Sequence, residues 1–293
     1  MRAIIHTSRQ RQPRSNRDEE EERSLEAVPP QRSSQRRRTR RLAPPDEQPY
    51  LSRLAGAGSL RSELEALLNA APPDADQNAY RSLILEANVA GKDTASMRVW
   101  VWRRLKVRYV LDPDVAEFRA FVDAMRMATR PADRGLVAFL MLARTDRLFR
   151  EGTLQAVSPY LREPGTLIRP ETVDEAIAAM PRGDRSTWSA ETVAGLRSHL
   201  LSALKDFGIL EGGRDKRTCR LHPGPPTTVF AARLGRLEGL TDRGLLRSRW
   251  FRLLGLEESE TVDLLYTAAR ERALAFRMQA GIVELSLPEG ARR

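Results

Sequence analysis

Apolar residues recur at helical spacing within residues 186–221. The stripe consists of Val193, Leu196, Leu200, Leu204 and Phe207, which are three or four positions apart. Ser189 stands where a helix N-cap is expected, and Gly208 stands where a glycine commonly ends a helix. Two short apolar runs then flank a Gly212-Gly213 turn, which is the pattern of a β-hairpin. The stretch therefore predicts a helix followed by a hairpin, as in the last helix and wing of a winged helix-turn-helix.

Basic residues cluster in this predicted hairpin, where Arg214, Lys216 and Arg217 follow the glycine pair. Such side chains bind DNA phosphates, and these contacts give affinity and register but little sequence discrimination. The helix face opposite the apolar stripe is small and polar, and it lacks an arginine that could form a fork with guanine. The candidate contacts on that face are Thr192, Ser198 and His199. A helix packed on a small β-ribbon, without any nucleic acid, is the alternative interpretation.

Three further apolar patterns follow one another within residues 51–113. The first two are helical, and Gly91 ends the second. The third, residues 95–111, is apolar on nearly every side and alternates like a strand in its second half, so periodicity alone does not settle its structure. The order matches a helix-turn-helix domain whose third helix contacts DNA, whereas Trp100 and Trp102 are expected in the core. The candidate DNA contacts are Ser96, Arg98, Arg103 and Arg104.

The remaining segments complete the predicted organisation. Residues 114–183 show helical spacing throughout and are expected to form a helical connector. Residues 184–293 hold the winged-helix-like unit and end in an alternating pattern about Ala280-Gly281, which predicts another hairpin. Residues 1–50 combine an acidic run and a basic run with little apolar surface, so we expect a disordered charged arm. The predicted fold class is mainly α, with helix-turn-helix and winged-helix-like units joined by a helical middle and small C-terminal β-hairpins.

The charge balance favours a polyanionic partner. The chain has 49 Lys and Arg residues against 39 Asp and Glu residues, which gives a formal net charge of +10. Arginine supplies most of the positive charge, and its planar guanidinium suits phosphate contacts. Arginine richness also arises from genome-wide coding bias, so charge alone does not establish DNA binding.

The sequence offers few residues that could form a catalytic site, a metal site or a membrane-spanning helix. Cys219 is the only cysteine, and together with His222 it lacks the further ligands of a zinc site. The longest strongly apolar run, residues 136–143, is too short to span a bilayer. The start of the chain lacks the apolar core of a signal peptide. We therefore expect a cytoplasmic protein that has no catalytic site, metal or cofactor and does not contact a membrane.

Three segments resemble the BrxA family of BREX phage-defence systems, namely RVWVWRRLKVRYVL from residue 98, WSAETVAGLRSHLLSALKDFGIL from residue 188 and LAFRMQAGIVELSL from residue 274. The resemblance extends over residues 55–288. It implies a mostly helical, non-enzymatic component that binds DNA. It also implies partners within the defence system, namely its methyltransferase, ATPase and phosphatase-like members. The charged arm departs from the compact start that is usual in the family.

The leading hypothesis is a DNA-binding accessory protein of a BREX-type system that contacts double-stranded DNA mainly through phosphates. One alternative is a protein–protein adaptor whose helical middle binds a larger defence enzyme, in which case the basic charge is incidental. Another is a winged-helix transcriptional regulator, which predicts tight binding to one operator and a dimer.

Overall fold

The computed structural model describes residues 39–51, 58–181, 187–279 and 282–288. These residues belong to one compact unit. The acidic run and most of the basic run of the predicted arm lie within residues 1–38, outside the described residues. The predicted division of the chain into separate domains stays a prediction.

The described chain is mainly helical, as the sequence predicts. In chain order, the helices are α1 (Arg61–Ala70), α2 (Gln77–Leu85), α3 (Ala95–Tyr109), α4 (Ala116–Met127), α5 (Pro131–Thr145), α6 (Arg147–Ala156), α7 (Pro170–Ala178), α8 (Ala190–Asp206), α9 (Pro225–Leu237), α10 (Asp242–Leu246), α11 (Arg249–Arg252) and α12 (Glu258–Arg270). The strands are β1 (Leu167–Ile168), β2 (Leu210–Glu211), β3 (Lys216–Thr218), β4 (Ala275–Gln279) and β5 (Ile282–Ser286). Short 3₁₀ turns lie at Pro45–Glu47 and Ser158–Tyr160.

The predicted signals at the ends of α8 are confirmed. The Ser189 hydroxyl accepts a hydrogen bond from the backbone N–H of Thr192 at 3.2 Å, which pairs one of the free donors of the first turn. Gly208 has φ +79° and donates its N–H to the carbonyl of Lys205 at 2.9 Å. A glycine adopts this left-handed conformation without a steric penalty, so the helix ends where the sequence predicts.

The segment that periodicity left undecided is helix α3. Trp102 lies in the core and Trp100 is partly buried against it, as expected. The buried apolar residues of α3 lie on one side of the helix, which contacts both α2 and α5. The opposite side carries the exposed apolar residues Met97 and Val107, so the sequence of α3 shows apolar residues on both sides and no single stripe.

Helix α5 lies at the centre of the core. Every residue from Gly135 to Arg144 is buried, and α5 packs against α3, α4, α6 and α9. The ring of Phe139 lies 5.8 Å from that of Phe149 on α6 and 6.1 Å from that of Phe207 at the end of α8. Helices from the predicted N-terminal, middle and C-terminal regions therefore share one hydrophobic core.

Two antiparallel sheets accompany the helices. In the first, β3 lies between β1 and β2, with Ile168 opposite Lys216 and Leu210 opposite Thr218. The prediction that the connector is helical throughout is wrong at β1, because this two-residue strand forms only by pairing with β3 about fifty positions away. The second sheet is the hairpin of β4 and β5, which confirms the alternating pattern predicted at the C-terminus.

The strap, which we define as residues 39–50, lies against the helical body. The backbone N–H of Arg40 donates to the carbonyl of Asp114 at 2.8 Å. Three body arginines donate to strap carbonyls, namely Arg144 to Leu42 (3.3 Å), Arg147 to Gln48 (2.9 Å) and Arg150 to Pro45 (2.7 Å). The last part of the predicted arm, from residue 39 onward, thus has partners on the helical body. The partners of the strap lie on remote helices, so no local pattern reveals them.

We expect acid to loosen the strap. Asp46 accepts two hydrogen bonds from Arg249, at 2.6 and 2.7 Å, and this guanidinium holds the pKa of Asp46 below its ordinary value of 3.8 while partial burial opposes the shift. The ion pair therefore stabilises the strap above that ordinary pKa and is lost as the pH falls through the lower folded value. Asp46→Asn should raise amide exchange in residues 39–51 at neutral pH, whereas the neighbouring Glu47→Gln should not.

A buried carboxylate joins the N-termini of α5 and α9. Asp133 Oδ1 accepts hydrogen bonds from the Gly224 N–H at 2.7 Å and from the Thr227 hydroxyl at 2.8 Å. Its Oδ2 accepts a hydrogen bond from Arg130 Nε at 2.7 Å. A buried charge needs such partners, and each donor here would lose its acceptor if the carboxylate were removed.

Asp133→Ala should therefore lower the free energy of unfolding by about 3 kcal/mol, since two buried donors are left unpaired. Urea denaturation followed by circular dichroism measures the change. The matched control is Asp263→Ala, which removes an exposed carboxylate from α12 and should leave the free energy of unfolding within about 0.5 kcal/mol of the parent. Equal stability of the two variants would show that Asp133 does not join the helices.

Candidate nucleic-acid interface

Helix α8 is held on the protein by its apolar stripe and by two polar contacts. Leu200 and Leu204 are fully buried. Arg197 forms an ion pair with Asp174 on α7, so it bridges two helices instead of facing solvent. The indole N–H of Trp188 donates to the Met180 carbonyl at 2.8 Å, which fixes the chain just before α8. One contact within α8 and one just before its first residue therefore fix the orientation of α8 relative to α7.

The outward face of α8 is small and polar, as predicted from the sequence. Ser198 is exposed, and Thr192 and His199 are half-buried beside it. The Thr192 hydroxyl lies 2.8 Å from that of Ser189, so it belongs to the N-cap as well as to the face. A Cβ added at the exposed Gly195 would meet no atom within 4 Å. This face can approach a flat or convex partner closely, but Glu191 at its first turn would oppose a phosphate there.

The wing, which we define as residues 210–218, has a turn that requires glycine. Gly212 has φ +95°, and a Cβ at this position would lie 2.1 Å from the Asp215 carbonyl oxygen. Lys216 Nζ donates to the Gly213 carbonyl, so its ammonium turns back toward the tip. Arg217 is exposed and donates to the Gly165 carbonyl at 2.9 Å. Arg214 at the tip is also exposed.

The sheet register adds one cation that the sequence analysis missed. Ile168 pairs with Lys216, so the exposed Arg169 follows β1 directly beside the tip of the wing. It was missed because β1 was interpreted as part of a helical connector. Asp215 and Glu211 are exposed on the wing as well and offset part of the charge. The wing patch, which we define as Arg169, Arg214, Lys216 and Arg217, thus keeps a net positive charge at the end of the sheet next to the wing turn.

The four predicted contacts on α3 do not share one face. Ser96 and Arg103 are exposed, and the Arg104 guanidinium carbon lies 5.8 Å from the centre of the half-buried Trp100 ring. Arg98 is half-buried and lies roughly 120° or more around the helix from Arg103 and Arg104. Ser96, Arg103 and Arg104 can therefore meet one partner, and Arg98 cannot join them.

The geometry near Cys219 does not favour thiolate chemistry. Burial raises the pKa of the Cys219 thiol, and the nearby carboxylate of Glu211 raises it further. A thiol with a raised pKa is a poor nucleophile at neutral pH. Among the described residues, no group of three or more His, Cys, Asp and Glu side chains is placed to hold a metal ion.

Comparison with known protein families identifies a match that includes α8 and the wing. The family model named BrxA matches residues 48–232, more than half of the chain. The chain belongs to the BrxA family. The match includes α1 to α8, the wing and most of α9. No curated protein matches the chain.

Membership of the BrxA family suggests a component of a BREX phage-defence system that works with other defence components. The family match ends before α10, α11, α12 and the β4–β5 hairpin. Within the residues that the structure describes, no helix is long and apolar enough to cross a membrane.

The wing turn offers a test of the local geometry. Gly212→Ala should distort the wing, because the alanine must adopt a positive φ and its Cβ collides with the Asp215 carbonyl. We expect faster amide exchange in residues 210–218 and a loss of about 1–2 kcal/mol in the free energy of unfolding. Gly213→Ala is the matched control, because a Cβ there meets no atom within 4 Å. If both variants behaved alike, Gly212 would not be the residue that shapes the turn.

Proposed function

We propose that this BrxA-family chain is a non-enzymatic DNA-binding accessory component of a BREX system. The proposed DNA-binding unit is a winged helix that consists of α6, β1, α7, α8 and the wing. The observation that carries the proposal is the sheet order β1–β3–β2 beside α8, with the cationic turn of the β2–β3 hairpin at one end of the sheet. Winged helix-turn-helix domains have this succession of helices and strands, and their last helix contacts a DNA groove.

The two parts of the unit suit different parts of a duplex. The outward face of α8 is small and polar around Gly195 and Ser198, so it can lie close to a groove floor. The first turns of this face present no long donor, since Lys205 stands only in the last turn of α8 and Arg197 is paired with Asp174. The wing patch supplies Arg169, Arg214 and Arg217, which match the phosphate backbone beside a groove.

This division of contacts favours weak sequence discrimination. Phosphate contacts give affinity through release of counterions and are the same for every sequence. Base recognition in the major groove commonly uses an arginine or lysine on guanine or an amide on adenine, and recognition helices make these contacts from their N-terminal residues. The outward face of α8 has none of these side chains in its first turns, and its one exposed lysine, Lys205, lies in the last turn. We therefore propose a component that binds duplex DNA broadly, while other members of the defence system supply chemistry and discrimination.

A salt titration tests the wing patch. We expect the parent protein to bind fluorescent 20-base-pair duplexes of different sequence with similar affinity, and binding should weaken steeply between roughly 50 and 200 mM salt. Arg169→Ala/Arg214→Ala/Arg217→Ala should lower the affinity for all duplexes alike. The log–log salt slope should flatten by about 2 to 3 units, because each lost phosphate contact removes about 0.9. Fluorescence anisotropy measures both quantities.

The matched control removes three exposed arginines elsewhere on the protein. Arg252→Ala/Arg270→Ala/Arg277→Ala changes the net charge equally but leaves the wing intact. A slope change of the same size in both triple variants would contradict specific phosphate contacts at the wing.

A variant without residues 1–38 tests whether the charged arm binds the DNA. Loss of affinity in that variant alone would place the contacts outside the winged unit. Tight binding to one palindromic sequence would favour a transcriptional regulator.

A further inference from the structure

The outward face of α3 has a composition unlike that of the wing. Met97 and Val107 are 45% and 46% exposed, which is unusual for large apolar side chains, and the half-buried Trp100 lies between them. At 100° per residue, Trp100 and Val107 fall within about 20° of each other at the middle of the exposed arc. Arg103 and Arg104 flank them on opposite sides. The face therefore has an apolar centre and a cationic rim.

An apolar cleft continues this face beyond the end of the helix. The cleft has a volume of about 260 Å³, and Val107 forms one side of it. Leu42, Leu51 and Val110 also line the cleft, and its polar lining includes Glu47, Asp146 and Arg147. Val107 belongs to both features, so the face and the cleft are one continuous surface. A single partner segment can lie along α3 and insert one apolar side chain into the cleft.

Charge limits the kind of partner that fits. Helix α3 contains five Lys and Arg residues and no Asp or Glu, and Arg103 and Lys106 are exposed. A second copy that bound through the same face would bring like charges together, since a two-fold contact repeats each patch on both sides. Duplex DNA would satisfy the cations, but the scattered thymine methyls of its major groove would cover little of Met97 and Val107. An acidic protein segment with apolar side chains satisfies both.

We propose that the outward face of α3 and the adjoining cleft bind an acidic amphipathic segment of a partner protein. The arrangement matches protein–protein interfaces, whose centres are enriched in Trp, Met and Arg and depleted of acidic residues. The apolar anchor of the partner enters the cleft beside Val107, and its carboxylates pair with Arg103 and Arg104. This surface is separate in the chain from the wing patch, so the proposal does not depend on DNA binding.

The probe is a fluorescent 16-residue designed helix with Leu and Phe along one face and Glu on both flanks. Three controls accompany it: a scrambled peptide of the same composition, a peptide with Lys in place of Glu, and a 20-base-pair duplex. Binding to the full-length protein is measured by fluorescence anisotropy. We expect the acidic amphipathic peptide to bind at least about tenfold more tightly than either control peptide, because only it meets both the apolar centre and the cationic rim.

Substitutions on the surface locate the binding. Val107→Glu should weaken the peptide by about tenfold or more by placing a carboxylate at the mouth of the cleft, and Met97→Glu should weaken it similarly. Met127→Glu is the matched control, because Met127 is 39% exposed on α4 and should not affect the peptide. Circular dichroism confirms that the variants are folded. Arg169→Ala/Arg214→Ala/Arg217→Ala should bind the peptide as the parent does, whatever its affinity for DNA.

Three results would overturn the proposal. In the first, the scrambled and amphipathic peptides bind equally, so that charge alone explains binding. In the second, Met127→Glu weakens the peptide as much as Val107→Glu does, so that the α3 face is not the site. In the third, the duplex displaces the peptide and Val107→Glu weakens the duplex equally, which would assign the face to DNA.

Discussion

The burial of α5 on every side is the constraint on which the rest of the structure depends. A helix that is apolar all round must be covered all round, and α3, α4, α6 and α9 provide that cover. The aromatic rings of Phe139, Phe149 and Phe207 extend the same core to the end of α8. The end of the candidate DNA-binding helix thus packs against a helix about sixty residues earlier in the chain.

Polar contacts then fix the surface segments that this core leaves free. Asp133 ties the start of α9 to the start of α5, and Arg144, Arg147 and Arg150 hold the strap through its backbone carbonyls. Arginine suits this role because its several donors bond carbonyls and carboxylates at once. Part of the arginine content of the chain therefore serves structure, and the net charge overstates how many cations remain for a partner.

Exposed cations form two surfaces of different character, the wing patch and the outward face of α3. The wing patch is polar and sits on a hairpin beside a small-residue helix face. The α3 face surrounds Trp100 and Val107 with arginines and opens into an apolar cleft. One suits the uniform phosphates of a duplex and the other suits a mixed protein surface. A member of a multi-component defence system that carried both would connect DNA to another component.

The sequence by itself determined the elements whose cause is local. The cap at Ser189, the glycine end at Gly208 and the two hairpins were predicted correctly, because each depends on residues that are neighbours in the chain. The place of Arg214, Lys216 and Arg217 on the first hairpin follows from the same local pattern, and their contact with DNA stays a prediction. Only the tertiary structure decided that α3 is a helix, that residues 167–168 form a strand and that the strap is folded. The partners of these segments lie tens of residues away, and their pairing leaves no periodic trace. Strand pairing places Arg169 in the wing patch. Helix packing places Arg98 away from the outward face of α3.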